Sequence, residues 1–309
     1  MITSIFKKST PFNYIIFSVL ILVVFVIVNY PSDKQAVTFD FAYHKIVLLG
    51  LFFSTFFILN FIVKKNALTK DSDFAFLFFF LFLLFFPSVF YNLKLLLSNL
   101  LVLLALRRLY SIQTLKVTKE KVFDATFYIC LASIFQFWSI LFLLVVFFSV
   151  VFYIARDYKN WLIPFVAIAA AAILFTLYGL IIDASVFLNY QNNAIIDLDF
   201  TYFKNNYQNL ALSIYTVVAV FFVFSLLFVL SSKPLNKKAV YKQTLFTFFI
   251  GVVVFLFSTH KSNEILLFSF FPLSIIATSD IEQYSNQIRG NTILFSVLLL
   301  ALITFFTQL

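Results

Sequence analysis

The chain has 309 residues, of which 63% are hydrophobic, 11% are charged and 48 are phenylalanine. This composition lies well outside that of water-soluble globular proteins and excludes that class. The formal net charge of +9 comes from basic residues scattered over short breaks between apolar runs. Such dispersal argues against a nucleic-acid-binding protein and favours contact with the headgroups of membrane lipids.

The apolar runs, taken in chain order, predict membrane-spanning helices, each of which needs roughly 20 mostly apolar residues. Five runs meet this requirement directly: 12–30, 45–63, 161–182, 210–230 and 292–307. Segments 74–106 and 122–155 carry polar residues at their middles, and each is interpreted as a hairpin of two short helices. Segments 245–258 and 265–278 are predicted as two further short spans. The sequence therefore predicts an all-α, polytopic transmembrane bundle of eleven spans, forming a single integral membrane domain over residues 1–309.

The distribution of lysine and arginine predicts the orientation of this bundle. If the N-terminus is cytoplasmic, 17 of the 22 basic residues fall on cytoplasmic breaks, as the positive-inside rule requires. If either hairpin were omitted, every later break would move to the opposite side of the membrane. The excess of basic residues on the cytoplasmic side would then be lost. The prediction is a multi-pass protein of the bacterial inner membrane, with residues 183–209 as its largest outer loop.

Two features of the sequence limit the kinds of cofactor and transport site that the chain can contain. Cys130 is the only cysteine, which removes intrachain disulfides and zinc clusters from consideration, and neither a metal nor a cofactor is predicted. No Asp, Glu, Lys or Arg lies near the middle of a predicted span, which weakens a transporter hypothesis because transport paths usually need such groups.

The four glycines form no GxxxG pair, so the helices are expected to pack through bulky side chains.

Candidate functional residues collect on the predicted outer face. Asp40 and His44, in the first outer loop, have the four-residue spacing that places two side chains on one side of a helix. The large outer loop begins with Asp183, and the break before the tenth span contributes His260, Lys261 and Glu264. A His-Lys pair beside a membrane helix suits a lipid phosphate. The alternative is that these residues are solvated loop groups or helix caps.

On the cytoplasmic face, Arg107 and Arg108 are candidates for contact with an anionic headgroup or a protein partner. The alternative is electrostatic, since a helix C-terminus favours cations in any case.

The run Thr259-His260-Lys261-Ser262-Asn263-Glu264 and the apolar segment after it, which ends in Phe271-Pro272-Leu273, resemble a motif of the GT-C membrane glycosyltransferases. The resemblance implies a polyprenyl-phosphate sugar as donor, with His260 and Lys261 near its phosphate. It also implies Asp40 or Asp33 as catalytic base, and glycosyl transfer on the outer leaflet.

Over its whole length the chain resembles a family of polytopic bacterial inner-membrane proteins, a likeness that implies no activity. It rests on Arg107-Arg108-Leu109-Tyr110-Ser111, Lys121-Val122-Phe123-Asp124-Ala125 and Trp161-Leu162-Ile163-Pro164. The favoured hypothesis is a non-enzymatic subunit or scaffold in envelope biogenesis, with membrane lipids and envelope-complex proteins as partners. The GT-C-like glycosyltransferase is the alternative, and a lipid or small-molecule transporter is a third.

Overall fold

A computed structural model describes residues 6–30, 39–155, 157–198, 205–259, 261–284 and 287–309. These residues form twelve α-helices, four short 3-10 helices and connecting turns, with no strand among them. The α-helices are α1 (Pro11–Val28), α2 (Phe39–Lys65), α3 (Phe74–Leu84), α4 (Leu93–Tyr110), α5 (Thr118–Phe135), α6 (Leu143–Tyr153), α7 (Lys159–Ile181), α8 (Ser185–Asn192), α9 (Asn206–Leu230), α10 (Leu235–Phe257), α11 (Leu267–Ile281) and α12 (Gln287–Gln308).

Each of the eleven predicted segments contains a helix, so the all-helical prediction is confirmed for the described residues. Eight helices are long and apolar enough to cross a membrane, and the apolar stretches Phe74–Leu84 and Phe137–Tyr153 are shorter. The chain is therefore a helical protein with the features of a multi-pass membrane protein. The count of eleven spans and the cytoplasmic N-terminus stay predictions.

Both hairpin breaks occur where the polar residues predicted them. Helix α3 ends at Leu84 and a 3-10 helix, Pro87–Tyr91, precedes α4. Pro87 lacks an amide hydrogen and disfavours helical geometry in the residue before it, which explains the stop. Helix α5 ends at Phe135, and Gln136 is extended, with φ −137° and ψ 102°.

Helix α10 corrects one prediction, because it begins ten residues before the predicted segment 245–258. Its start is polar, and Lys237 is exposed, but Gln243 and Thr244 in the third turn are fully buried. Gln243 accepts a hydrogen bond from Tyr153 at 3.2 Å, and the hydroxyls of Tyr110 and Thr244 lie 3.0 Å apart. Hydrogen bonds to neighbouring helices thus extend α10 beyond its apolar part, and the helix is not short.

The described chain divides into two compact units. Unit 1 comprises Met1–Leu96, Phe203–Lys233 and Phe270–Leu309, and unit 2 comprises Leu97–Tyr202 and Pro234–Ser269.

The core of unit 1 is built around α3, all eleven residues of which are buried. Phe76 lies edge-on to Phe17 of α1 at 4.5 Å between ring centroids, and Phe78 lies 5.4 Å from Phe222 of α9. Between lipid-exposed helices, association depends on close packing rather than on exclusion of water. Interlocked phenylalanine rings supply that packing here, as the scarcity of glycine predicted.

Unit 2 packs partly through small residues, which the sequence analysis did not anticipate. Helices α5 and α7 face each other, with Ala125 and Ala132 of α5 and Ala167 and Ala171 of α7 buried. Alanine lets two helices approach closely in the way that glycine does. Helices α6 and α10 are joined by Gln243, which donates a hydrogen bond to Ser149 at 3.0 Å.

Candidate functional site

The structure places Asp40 and His44 in the first turns of α2, within unit 1. Their four-residue spacing on a helix is therefore confirmed for the backbone. The side chain of Asp40 lies outside the described part of the chain, and His44 is exposed.

The predicted motif at 259–264 belongs to unit 2, where it connects α10 to α11. His260 lies outside the described residues. Lys261 is only 6% exposed, which is unusual for a lysine. Glu264 lies in the 3-10 helix Asn263–Leu266 and accepts a hydrogen bond from the Ser262 hydroxyl at 3.1 Å.

Asp183, also in unit 2, has a local structural contact. Its carboxylate accepts hydrogen bonds from the backbone N–H of Ser185 at 2.9 Å and from the Ser185 hydroxyl at 2.6 Å. These two bonds hold the pKa of Asp183 below its usual value, because they stabilise the ionised form. The contact stabilises the first turn of α8, where an acidic side chain is favoured.

Arg107 and Arg108 lie in the last turn of α4. Arg108 pairs with Asp124 of α5 at 2.8 Å, and both side chains are partly exposed, at 39% and 30%. An ion pair that solvent reaches to this extent contributes little stability, on the order of 0–1 kcal/mol. Contact of Arg107 or Arg108 with a headgroup or a protein partner stays a prediction.

The described outer-face residues are thus distributed over both units, with Asp40 and His44 in unit 1 and Asp183, Lys261 and Glu264 in unit 2. His260 and Asp33 lie outside the described residues. The convergence of the outer-face residues on one reaction centre stays a prediction. Among the side chains that the structure describes, no group of three His, Cys, Asp or Glu residues is placed to hold a metal ion.

Unit 1 contains an open cavity of about 490 Å³, formed where α1, the 3-10 helix Pro87–Tyr91, α9 and α12 begin or end. The polar side chains among its described lining residues are hydroxyl and carboxamide groups. We call it the amide cavity and define it by Tyr30, Ser88, Tyr91, Asn205, Gln208 and Gln308.

Hydrogen bonds to the backbone fix several of these side chains. The Tyr91 hydroxyl donates to the carbonyl of Val28, and burial raises the pKa of Tyr91, so the group stays protonated. Gln308 donates to the carbonyl of Phe85 at 2.8 Å, and Asn205 accepts from the N–H of Tyr207 at 3.0 Å. These hydrogen bonds fix the positions of part of the described cavity wall.

A second polar group lies near the other end of α1. We call it the basal cluster and define it by Asn13, Tyr14, Lys64 and Asp73. Asp73 is 2% exposed; it accepts a hydrogen bond from Asn13 at 2.8 Å and lies 3.6 Å from the ammonium of Lys64. Lys64 also donates to the Tyr14 hydroxyl. The cluster ties the connection before α3 to α1 and α2.

A neighbouring contact in unit 1 fixes the end of α11. The carboxylate of Glu282 accepts hydrogen bonds from the backbone N–H of Lys70, at 2.9 and 3.0 Å, and from the Ser72 hydroxyl at 2.6 Å. The Lys70 ammonium donates to the carbonyl of Glu282 at 2.8 Å. We call this contact the Glu282 clasp. Because the groups that form it are paired with one another, we assign it a structural role.

Comparison with protein-family models, curated proteins and solved structures gives no match for this chain. The amide cavity and the basal cluster were both missed by sequence reasoning. Each cavity residue lies near the end of an apolar segment, which is a signal for the membrane interface. The sequence pattern does not show which of these segment ends pack against one another in the folded protein.

Proposed function

We propose that this chain is a multi-pass protein of the bacterial inner membrane that serves as a non-enzymatic subunit in envelope biogenesis. In this proposal the amide cavity is a binding site, and the basal cluster and the Glu282 clasp are structural.

The chemistry of the amide cavity carries the proposal. Its described lining contains hydroxyls, carboxamides and apolar groups, and no Asp, Glu, His, Lys or Arg side chain. Acid–base catalysis uses such titratable groups within hydrogen-bonding distance of the substrate. Hydroxyls and carboxamides instead orient a ligand without changing their own protonation state. A wall of such groups suits the binding of a ligand without chemical change.

The basal cluster supports the proposed orientation. It lies near the N-terminus of α1, whereas the amide cavity lies at the C-terminal end of the same helix. The rise from Asn13 to Val28 is about 22 Å at 1.5 Å per residue. The positive-inside rule assigns the side of Lys64, Lys65 and Lys70 to the cytoplasm, so the proposal puts the cavity on the outer side.

Native purification tests the proposal. The full chain, tagged at either end in separate strains, is extracted in a mild detergent, and the copurifying polypeptides are quantified. A non-enzymatic subunit should bring the same envelope proteins in the same molar ratio with both tags. The proposal fails if the chain purifies alone and converts an added polyprenyl-phosphate sugar into product.

A GT-C-like glycosyltransferase is the second candidate, and the resemblance of the run from Thr259 to Glu264 to the motif of those enzymes favours it. In this alternative Asp40 is the base, and His260 and Lys261 contact the phosphate of a polyprenyl-phosphate sugar.

Substitution of Asp40 tests this alternative. Asp40→Asn should abolish glycosyl transfer while protein abundance stays constant, and Asp197→Asn in the large outer loop should retain it. Equal rates of glycosyl transfer by the two variants would show that Asp40 is not the catalytic base.

A further inference from the structure

The polar groups of the amide cavity are only partly used by the protein itself. Gln308 uses its NH₂ group for two backbone carbonyls, which leaves its amide oxygen as an acceptor. Asn205 uses its amide oxygen for the N–H of Tyr207, which leaves its NH₂ group as a donor. Ser88 contributes a hydroxyl, which both donates and accepts. The cavity therefore offers donors and acceptors in a mixed arrangement.

The charge of the lining restricts the ligand. An anionic ligand is normally met by arginine, lysine or several convergent N–H groups, and none of the described residues that line this cavity has a cationic side chain. Lys45 lies nearby, 5.1 Å from the ring centroid of Tyr91, but it donates to the side chain of Asn29. A wholly apolar ligand would leave the remaining hydrogen-bonding groups of Ser88, Asn205 and Gln308 unpaired. The lining therefore fits an uncharged ligand that is rich in hydroxyl groups.

The volume of the cavity and its apolar lining residues also fit an uncharged, hydroxyl-rich ligand. A volume of about 490 Å³ falls within the range of roughly 300–1,000 Å³ that small-molecule sites occupy. Tyr91 offers a ring beside its hydroxyl, and such amphipathic surfaces match a ligand with both polar and apolar edges. Ile27 lines the cavity and is 43% exposed, so apolar surface continues onto the outside of α1.

We propose that the amide cavity binds an uncharged, hydroxyl-rich carbohydrate, either as a free sugar or as the head of a glycolipid. The inference rests on the proposed function, because it names the ligand of the same binding site. Carbohydrate hydroxyls both donate and accept hydrogen bonds, as the free groups of Ser88, Asn205 and Gln308 require.

Binding by the full-length protein in lipid nanodiscs tests this inference. Methyl β-glucoside is the free-sugar probe, followed by saturation-transfer NMR. Monoglucosyldiacylglycerol is the glycolipid probe, followed by its retention in native mass spectrometry. Inorganic phosphate and phosphatidylglycerol serve as charged comparators. We expect binding of at least one neutral probe, and the two arms distinguish the free sugar from the lipid-linked one.

Asn205→Asp is the diagnostic variant. Its carboxylate still accepts from the N–H of Tyr207, so the start of α9 is retained, while the free NH₂ donor is lost and a negative charge is added. We expect binding of the neutral probe to weaken by about fivefold or more, on the scale of one lost hydrogen bond with partial charge repulsion. Ser88→Ala should weaken it by about threefold.

The matched control is Asn206→Asp, which places the same charge one residue further along α9, at a residue that does not line the cavity. Its affinity for the neutral probe should stay within about twofold of the unmodified protein, because exposed charges are screened. Thermal unfolding of all three variants in the same nanodiscs verifies that they are folded.

Three results would overturn the inference: binding of neither neutral probe, preferential binding of the charged comparators, or equal weakening by Asn205→Asp and Asn206→Asp. These outcomes are separable from failure of the proposed function. If neither sugar probe binds while envelope proteins still copurify in fixed ratio, the carbohydrate assignment fails and the subunit function stands. If the sugar binds and is converted to product, the site stands and the non-enzymatic function fails.

Discussion

Asp73 shows what one buried carboxylate requires of its surroundings. At 2% exposure, an ionised carboxylate is costly unless hydrogen bonds and a counter-charge compensate for its lost hydration. Asn13 supplies a hydrogen bond and Lys64 supplies the charge. Because these partners belong to α1 and α2, one side chain connects three segments of unit 1.

Asp73→Asn should destabilise the protein by about 2 kcal/mol, because it removes the charge that Lys64 faces and leaves buried polar groups imperfectly paired. Asp71→Asn, at an exposed position two residues earlier, is the matched control and should be neutral. Thermal unfolding of both variants in one detergent measures the difference. Coincident transitions would show that the basal cluster contributes no stability.

The burial of Asp73 was not predictable from its neighbourhood in the sequence. The run Lys70-Asp71-Ser72-Asp73 is a polar break between apolar segments, and all four residues suggest a solvated connection. Ser72 and Asp73 are nevertheless buried. The partner Asn13 lies 60 residues away, and only the packing of α1 beside α3 brings it close. The cavity residues were missed for the same reason.

At the scale of the helices, Gly251 of α10 is a point of close approach. A Cβ atom there would lie 2.9 Å from the carbonyl carbon and oxygen of Phe268 and 3.0 Å from the N of Ser269. Those are backbone atoms, which cannot move aside as a flexible side chain would. Gly50 of α2 has open space at the same position.

Gly251→Ala should therefore destabilise the protein by about 1–3 kcal/mol through overpacking. Gly50→Ala should be neutral or stabilise it by up to about 1 kcal/mol, since alanine is the better helix former. Thermal unfolding of the pair, measured side by side, tests the contact between α10 and the start of α11. Equal stability of the two variants would contradict this packing.

The positions of the helices were largely predictable, because the length of an apolar run and the polar residues that interrupt it are local properties of the sequence. Pro87 marked the end of the first hairpin arm, and the polar group near Gln136 marked the second turn. The start of α10 was predicted ten residues too late, since its polar turns are stabilised by Tyr110 and Tyr153, which lie far away in sequence. Helix ends that depend on such tertiary hydrogen bonds are not visible in hydropathy.

At the scale of the whole chain, the helices are predicted to cross the membrane repeatedly, so that successive breaks lie on alternate sides. Eight helices have the length and apolar character to span a membrane, and the basic residues predict which breaks face the cytoplasm. The proposed function assumes this arrangement, with the amide cavity on the outer side. The orientation of the helices relative to the membrane can be measured directly.

Single-cysteine labelling provides that measurement. Cys130 is replaced by alanine, and one cysteine is then introduced as Asn193→Cys, in the predicted outer loop, or as Ser232→Cys, in the predicted cytoplasmic break between α9 and α10. Both positions are exposed. A membrane-impermeant maleimide should label Asn193→Cys in intact spheroplasts and Ser232→Cys only after permeabilisation. Labelling of Ser232→Cys in intact spheroplasts, with protection of Asn193→Cys, would contradict the account.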